Sequence, residues 1–158
     1  MNVIAMLIRR PYDVAVLREE INLYCSGNEM NKSVLSKLAK LDSFIRESTR
    51  HNPLGLGLYS LLLRVPSDHN KVSTPRTARK NFTFSDGMVI PAGARIGAPI
   101  DLFHLHNPDV DNPGAFDGFR YSNMAGKSRG SSRHQAVNTD LNFLTFGHGT
   151  HTWYDRLS

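Results

Sequence analysis

An α+β fold, with helices first and short strands after them, is what this sequence predicts, and three observations carry it. Two stretches before residue 53 repeat their apolar residues at helical spacing. From Asn81 onward that period gives way to short apolar runs broken by Asp-Gly and Pro-Ala-Gly turns, the pattern of strands. The chain then closes on a glycine-bearing loop, Leu144-Thr-Phe-Gly-His-Gly-Thr-His-Thr-Trp153. A length of 158 residues with 40% hydrophobic content suits one domain with a core.

Pro11 opens the first helix, at a position where its missing N–H does no harm. Val14, Leu17, Ile21 and Tyr24 then fall on one face, with Arg18, Glu19 and Glu20 turned away, and Gly27 stops the run. A second helix starts near Asn31 or Ser33, either of which can cap it, and points Leu35, Leu38, Leu41 and Ile45 inward. Pro53 ends it. Within it, Glu47 and Arg50 share a face; as a bare helix-surface ion pair they would contribute about 0.2–0.5 kcal/mol.

The segment Gly55–Lys71 interrupts the pattern, with Tyr59–Val65 reading either as an extra strand or as an exposed apolar patch. Ser85-Asp-Gly87 is turn chemistry, Met88–Ile90 a short strand, Pro91-Ala-Gly93 a second turn and Ala94–Pro99 a second strand, together a small antiparallel hairpin. Leu102–His106 suits a short helix, Asn107–Gly114 reads as irregular coil, and Ser122–Asn138, rich in Ser, Gly, Lys and Arg, reads as a mobile loop.

Composition narrows the function. The formal charge is +5, but the basic residues are scattered and no aromatic RNA-binding motif accompanies them, which argues against a nucleic-acid partner. Cys25 stands alone, so neither a disulfide framework nor a cysteine-pair zinc site is available; it reads as a core or surface thiol. His104, His106, His134, His148 and His151 follow no zinc spacing, and no metal site is predicted. No nucleophile elbow, phosphate loop or dinucleotide fingerprint is present. No apolar run reaches bilayer-spanning length, and Met1–Ile8 is too short for a signal peptide. Nothing predicts a stable oligomer.

Several motifs, in order, resemble the cytochrome P-450 family of haem-thiolate monooxygenases. The closing loop resembles its haem-binding loop, Phe-Gly-x-Gly-x-His/Arg-x-Cys. Leu17-Arg-Glu-Glu-Ile21 resembles its helix J, Glu47-Ser-Thr-Arg50 the Glu-x-x-Arg of helix K, Ile90-Pro-Ala-Gly93 its hairpin turn, and Phe116-Asp-Gly-Phe-Arg-Tyr121 its Phe-x-Pro-x-Arg-Phe, with Gly118 in the place of proline. The run from Lys40 through Glu47 to Pro53 is closest to fungal members. The resemblance excludes Gly55–Lys71, Ser122–Asn138 and the last six residues.

The resemblance implies the C-terminal part of that fold: two helices in 1–53, an insertion and hairpin in 54–99, a meander and loop in 100–143, and a truncated haem loop in 144–158. It casts Glu47, Arg50 and Arg120 as a buried charge lock, against the alternative of a surface arginine near a turn. It casts Arg76, with Arg79 as the alternative, as a partner of a haem propionate, Phe146, Gly147 and Gly149 as the cup for the ring, and His151 as a second propionate partner. Trp153 stands where the thiolate cysteine belongs, and an indole N–H has no lone pair for iron, so no catalytic residue and no metal ligand is assigned. His148 or His151 could ligate iron only if the loop rearranged.

At the level of the family, the implied chemistry is O2-dependent oxygenation of a small apolar substrate on haem, with electrons from an NADPH-dependent reductase, at the endoplasmic reticulum membrane. This stretch carries no anchor and lacks the family's oxygen-activating helix and substrate-recognition loops, so it is expected to be inactive. The competing reading is a non-enzymatic truncated product or a gene model that retains introns. A retained intron accounts both for Gly55–Lys71 and for the end of the chain, because a cysteine codon split after TG before GTATGA reads through as Trp153-Tyr-Asp155.

Overall fold

The computed structural model of the chain describes residues 2–27, 29–53, 73–125 and 135–148. Helix α1 (Asn2–Arg9) is followed at once by α2 (Pro11–Cys25). The break falls where it must, since Pro11 has no N–H to extend α1 and forces Arg10 out of the helical region, to φ −133° and ψ 67°. Leu17 is buried as its spacing predicts, but Glu20 is buried beside it and Ile21 is partly exposed. The reading of Glu20 as a solvent-facing residue is therefore corrected. Its two carboxylate oxygens accept the backbone N–H groups of Lys40 (2.8 Å) and Leu41 (2.9 Å), which lie in the first turn of α4 (Ala39–His51). Leu38, at the N-cap of α4, offers no side-chain acceptor, so a carboxylate from α2 satisfies donors that the helix leaves open.

The stretch read as one second helix is in fact two. Asn31 caps the short α3 (Lys32–Leu35), accepting the Val34 N–H at 3.0 Å, and the chain then breaks at Ser36–Lys37 before α4 begins. The break changes which face points inward. Leu38 is buried, whereas Leu35 is 52% exposed and Leu41 and Ile45 are only half-buried. What α4 buries is Ser43, Phe44 and the unbroken run Arg46–Arg50, because α1, α2 and two later helices pack around it.

Strand β1 (Ser73–Thr77) pairs antiparallel with β4 (Arg95–Ala98), and β2 (Phe82–Thr83) with β3 (Val89–Ile90). The expected hairpin between Met88–Ile90 and Ala94–Pro99 does not form. The Pro91–Gly93 turn carries the chain back to β1 instead, because Gly93 N–H donates to the Ala78 carbonyl (2.8 Å) and Ala78 N–H to that of Ala94 (2.9 Å). Register slips between Ser73 and Arg76, a span containing Pro75, which has no N–H for the ladder. The Ser85–Gly87 turn closes β2 on β3, with Gly87 N–H donating to the Phe84 carbonyl at 3.0 Å.

Helix α5 (Ile100–Leu105), a run of bends, and α6 (Arg120–Ala125) complete the described structure up to the segment 135–148. Phe44, Ile100, Tyr121 and Phe143 form the apolar centre beside α4. The loop expected over Ser122–Asn138 is helical at its start, since α6 runs to Ala125, and its end, Gln135–Asn138, is a turn closed by an Asn138 N–H bond to the Gln135 carbonyl (3.0 Å). Residues 126–134 and the insertion at Gly55–Lys71, including Tyr59–Val65, lie outside the described residues. Among the described residues, no helix is long and apolar enough to cross a membrane.

Candidate functional site

The last two turns of α4 build the site. Spacing of three sets Glu47 and Arg50 on one face, and the guanidinium grips the carboxylate with two bonds, Nε to Oε2 at 2.7 Å and Nη2 to Oε1 at 2.8 Å. Both side chains are fully buried. Arg120, at the start of α6, adds Nε to the same Oε1 at 3.3 Å, and the Asp117 backbone N–H joins it at 3.0 Å. The two arginines share a second acceptor, the Ala115 carbonyl, at 3.3 Å from Arg50 and 2.9 Å from Arg120. Arg50 also donates to the His104 carbonyl (2.7 Å), and Arg120 to the carbonyls of Asp111 and Asn112. The coil ahead of α6 is thus folded so that its carbonyls face two buried cations. Asn112, whose φ of 44° is left-handed, is one cost of that bend.

Burial alone would push the Glu47 carboxyl up, but the bonds and charge of Arg50, the neighbouring His51 ring and the Asp117 N–H outweigh it and hold the pKa at about 2. His51 completes the edge of the cluster: its Nε2 accepts from Arg50 Nη2 at 2.8 Å, and its ring tilts against Phe116.

Gly118 shows why proline, usual at this place in the resembled motif, is absent here. A Cβ added at Gly118 would fall 2.6 Å from Phe44 Cδ2 and 3.2 Å from Cε2. Phe44 fills that space and meets Phe116 edge-on at 5.5 Å.

A third buried arginine escaped the sequence reading. Arg46 is 1% exposed, with its guanidinium against the rings of both Phe143 (3.9 Å) and Tyr121 (4.7 Å). It donates to the carbonyls of Gln135 (2.5 Å) and Asn138 (2.8 Å) and to Asp140 Oδ2 (2.9 Å), so it ties the segment before the glycine loop to α4. Its only sequence signal is its place beside Glu47, and that says nothing about burial. Asp42 adds a further tie through the Ala136 N–H (2.9 Å); burial raises its pKa.

Phe146 is half-buried, and Gly147 takes φ 79° while its N–H closes a turn on the Leu144 carbonyl at 2.9 Å, a conformation glycine adopts without strain. Arg76 lies on β1 opposite Ile96, exposed, and Arg79 is exposed beyond it. Gly149, His151, Trp153 and His134 lie outside the described residues. Among the described residues no group of His, Cys, Asp and Glu is arranged to hold a metal ion. A cavity of about 90 Å³ between α3, α4 and α6, lined by Leu38, Asp42, Ser43, Tyr121 and Ser122, has room for water but not for a porphyrin.

Comparison with known proteins follows the same lines. No protein-family model matches the chain. It is 33% identical over 152 residues to cytochrome P-450 monooxygenase BOA4 of Botryotinia fuckeliana, covering 96% of this chain and 28% of that protein. It is 31% identical to an ent-kaurene oxidase of Gibberella intermedia, covering 90% of this chain and 25% of the relative. Among solved structures it superposes on a zebra fish cytochrome P-450 determined with progesterone, at a TM-score of 0.65 and 19% identity over 95% of this chain and 28% of the other. A second match, to the haem domain of cytochrome P-450DA, has a TM-score of 0.61 at 16% identity.

Proposed function

Because the chain belongs to the cytochrome P-450 family, we propose that it forms the framework of such a fold around the Glu-x-x-Arg helix, and that the sequence in hand does not itself carry out the oxygenation. The chain spans about a quarter of the length of the curated relatives it matches. The observation that carries the first half is the convergence of Glu47, Arg50 and Arg120 in one buried cluster. Such a cluster is costly to assemble without full compensation, and its burial suits a scaffold better than a surface ion pair.

The second half rests on the donor set. Haem, when held by a thiolate, supplies the oxygen-activating chemistry of the family. The residues present do not fit that ligation: Trp153 stands at the thiolate position and has no lone pair to give, and the lone cysteine, Cys25, ends α2. No step of oxygenation is therefore derived through haem in this chain. Phe146, Gly147 and Gly149 remain suited to the face of a porphyrin, and Arg76 and His151 to its carboxylates.

For a whole protein of the family the reading extends to O2, an apolar organic substrate, an NADPH-dependent reductase and the endoplasmic reticulum membrane. The competing reading, a non-enzymatic product or a gene model with retained introns, is favoured specifically by Trp153. One experiment addresses both. Recombinant chain is mixed with haem, reduced and exposed to carbon monoxide; the expected spectrum lacks the red-shifted Soret band of thiolate ligation, and its appearance would overturn the proposal. Sequencing the transcript across the Trp153 codon then separates a genuine tryptophan from a read-through junction.

A further inference from the structure

His104 is fully buried on α5, and both of its ring nitrogens are engaged. Nδ1 lies 3.2 Å from the Arg50 carbonyl oxygen. A carbonyl only accepts, so Nδ1 carries the proton. Nε2 lies 2.9 Å from the Leu144 backbone nitrogen, whose N–H only donates, so Nε2 is bare. The two neighbours select one neutral tautomer between them. The ring stacks on Phe143, at 5.5 Å and 13° between planes. Arg50 holds the same residue a second time, through Nη1 to the His104 carbonyl at 2.7 Å.

We propose that His104 is a positioning residue that couples the Glu47–Arg50 pair to the Leu144–Gly147 turn, fixing where the glycine loop leaves the core. One side of the imidazole is anchored to the last turn of α4, which the ion pair immobilises; the other is bonded to the first residue of the loop. A displacement of Arg50 therefore moves Leu144 through a single rigid ring. The coupling needs no bound haem and does not depend on the fate of position 153.

The arrangement carries its own pH limit. The charged groups facing the ring are Arg50 and Arg46 from α4 and Asp101 from α5, while the Phe143–Leu144 segment presents an aromatic ring and an amide. Burial first, with the charges of the two arginines in support and the bond to the Arg50 carbonyl and Asp101 opposing, lowers the imidazole pKa to about 4. A proton added to Nε2 would face the Leu144 N–H donor to donor. Since the folded pKa lies below the ordinary 6.5, the unfolded chain binds more protons between the two values. The contribution is full above about 6.5 and is lost as pH falls toward 4.

Nitrogen-15 NMR of the intact chain tests the assignment. The expected result at neutral pH is a protonated Nδ1 and a bare Nε2 on His104, with the Leu144 amide resonance moving as that ring titrates in the acid range. Amide exchange tests the coupling. In His104→Leu the Leu144–Gly147 amides should exchange about tenfold faster, the equivalent of one net hydrogen bond, with α6 unchanged. His104→Gln, whose side-chain oxygen can accept from Leu144, should recover part of the protection. A proton found on Nε2, equal acceleration in α6 and the loop, or a glutamine variant no better than leucine would each overturn the proposal. If the leucine variant does not fold, the tautomer in the unsubstituted chain decides.

Discussion

Arg46 and Glu47 are neighbours in sequence and both are sealed from solvent, yet the two regions they organise bury charge in different ways. Around Glu47 the compensation is ionic: one carboxylate and two guanidiniums, with coil carbonyls taking the remaining donors. Around Arg46 a cation lies against two aromatic rings and backbone carbonyls, and its ion-pair partner Asp140 is 43% exposed. In the first, Glu47 and Arg50 are wholly buried and Arg120 is only 10% exposed, whereas the second has an outlet. Removing a group should therefore cost more in the first region than in the second.

The largest effect is expected at Glu47. Glu47→Gln leaves Arg50 and Arg120 facing each other without an anion, and the loss should be about 3–5 kcal/mol by urea denaturation. Acid titration sharpens the same point. The folded pKa of Glu47 is depressed to about 2 from 4.5, so its contribution is complete above the higher value and disappears as pH falls toward the lower one. In Glu47→Gln that part of the acid-unfolding curve should flatten.

Arg46→Met should cost less, about 1–3 kcal/mol, since carbonyls lose donors while Asp140 can turn to water. Its effect should be local, with faster amide exchange at Gln135–Phe143 than at α6. Equal losses for Arg46→Met and Glu47→Gln would erase the distinction between the two regions.

Gly118→Ala tests the packing behind the Glu47 cluster. Overpacking against Phe44 should cost about 1–3 kcal/mol, and in a Phe44→Val background that penalty should shrink, giving a measurable coupling in a double-mutant cycle. The smallest effect is expected at Glu20, where alanine removes the acceptor for the first turn of α4. A loss of about 1 kcal/mol, seen as a lower thermal midpoint, is the size of an ordinary cap.

The Glu47 region was the more legible of the two in the sequence. Three-residue spacing on a helix puts Glu47 and Arg50 together whatever else the chain does, and the Phe116–Tyr121 motif points to Arg120 as a third member. Arg46 left no such mark, because its partners at 135 and 138 are main-chain carbonyls that any residue could supply. Glu20 was hidden for a related reason: helical periodicity sorts residues by polarity, and a carboxylate that caps another helix looks like one facing solvent. Strand positions were readable near Met88 and Ala94, but their pairing was not, since Gly93 and Ala78 settle it through backbone bonds. Of the residues assigned to haem, Phe146 and Gly147 are seen in a turn and Arg76 on a strand.

The capping of α4 by Glu20 bears on the order in which the molecule assembles. The acceptor that completes the first turn lies about twenty positions earlier in the chain, so full capping of the helix waits on a contact that is not local. Until α2 docks, the end of the helix that carries the charged interior keeps two amides open to water.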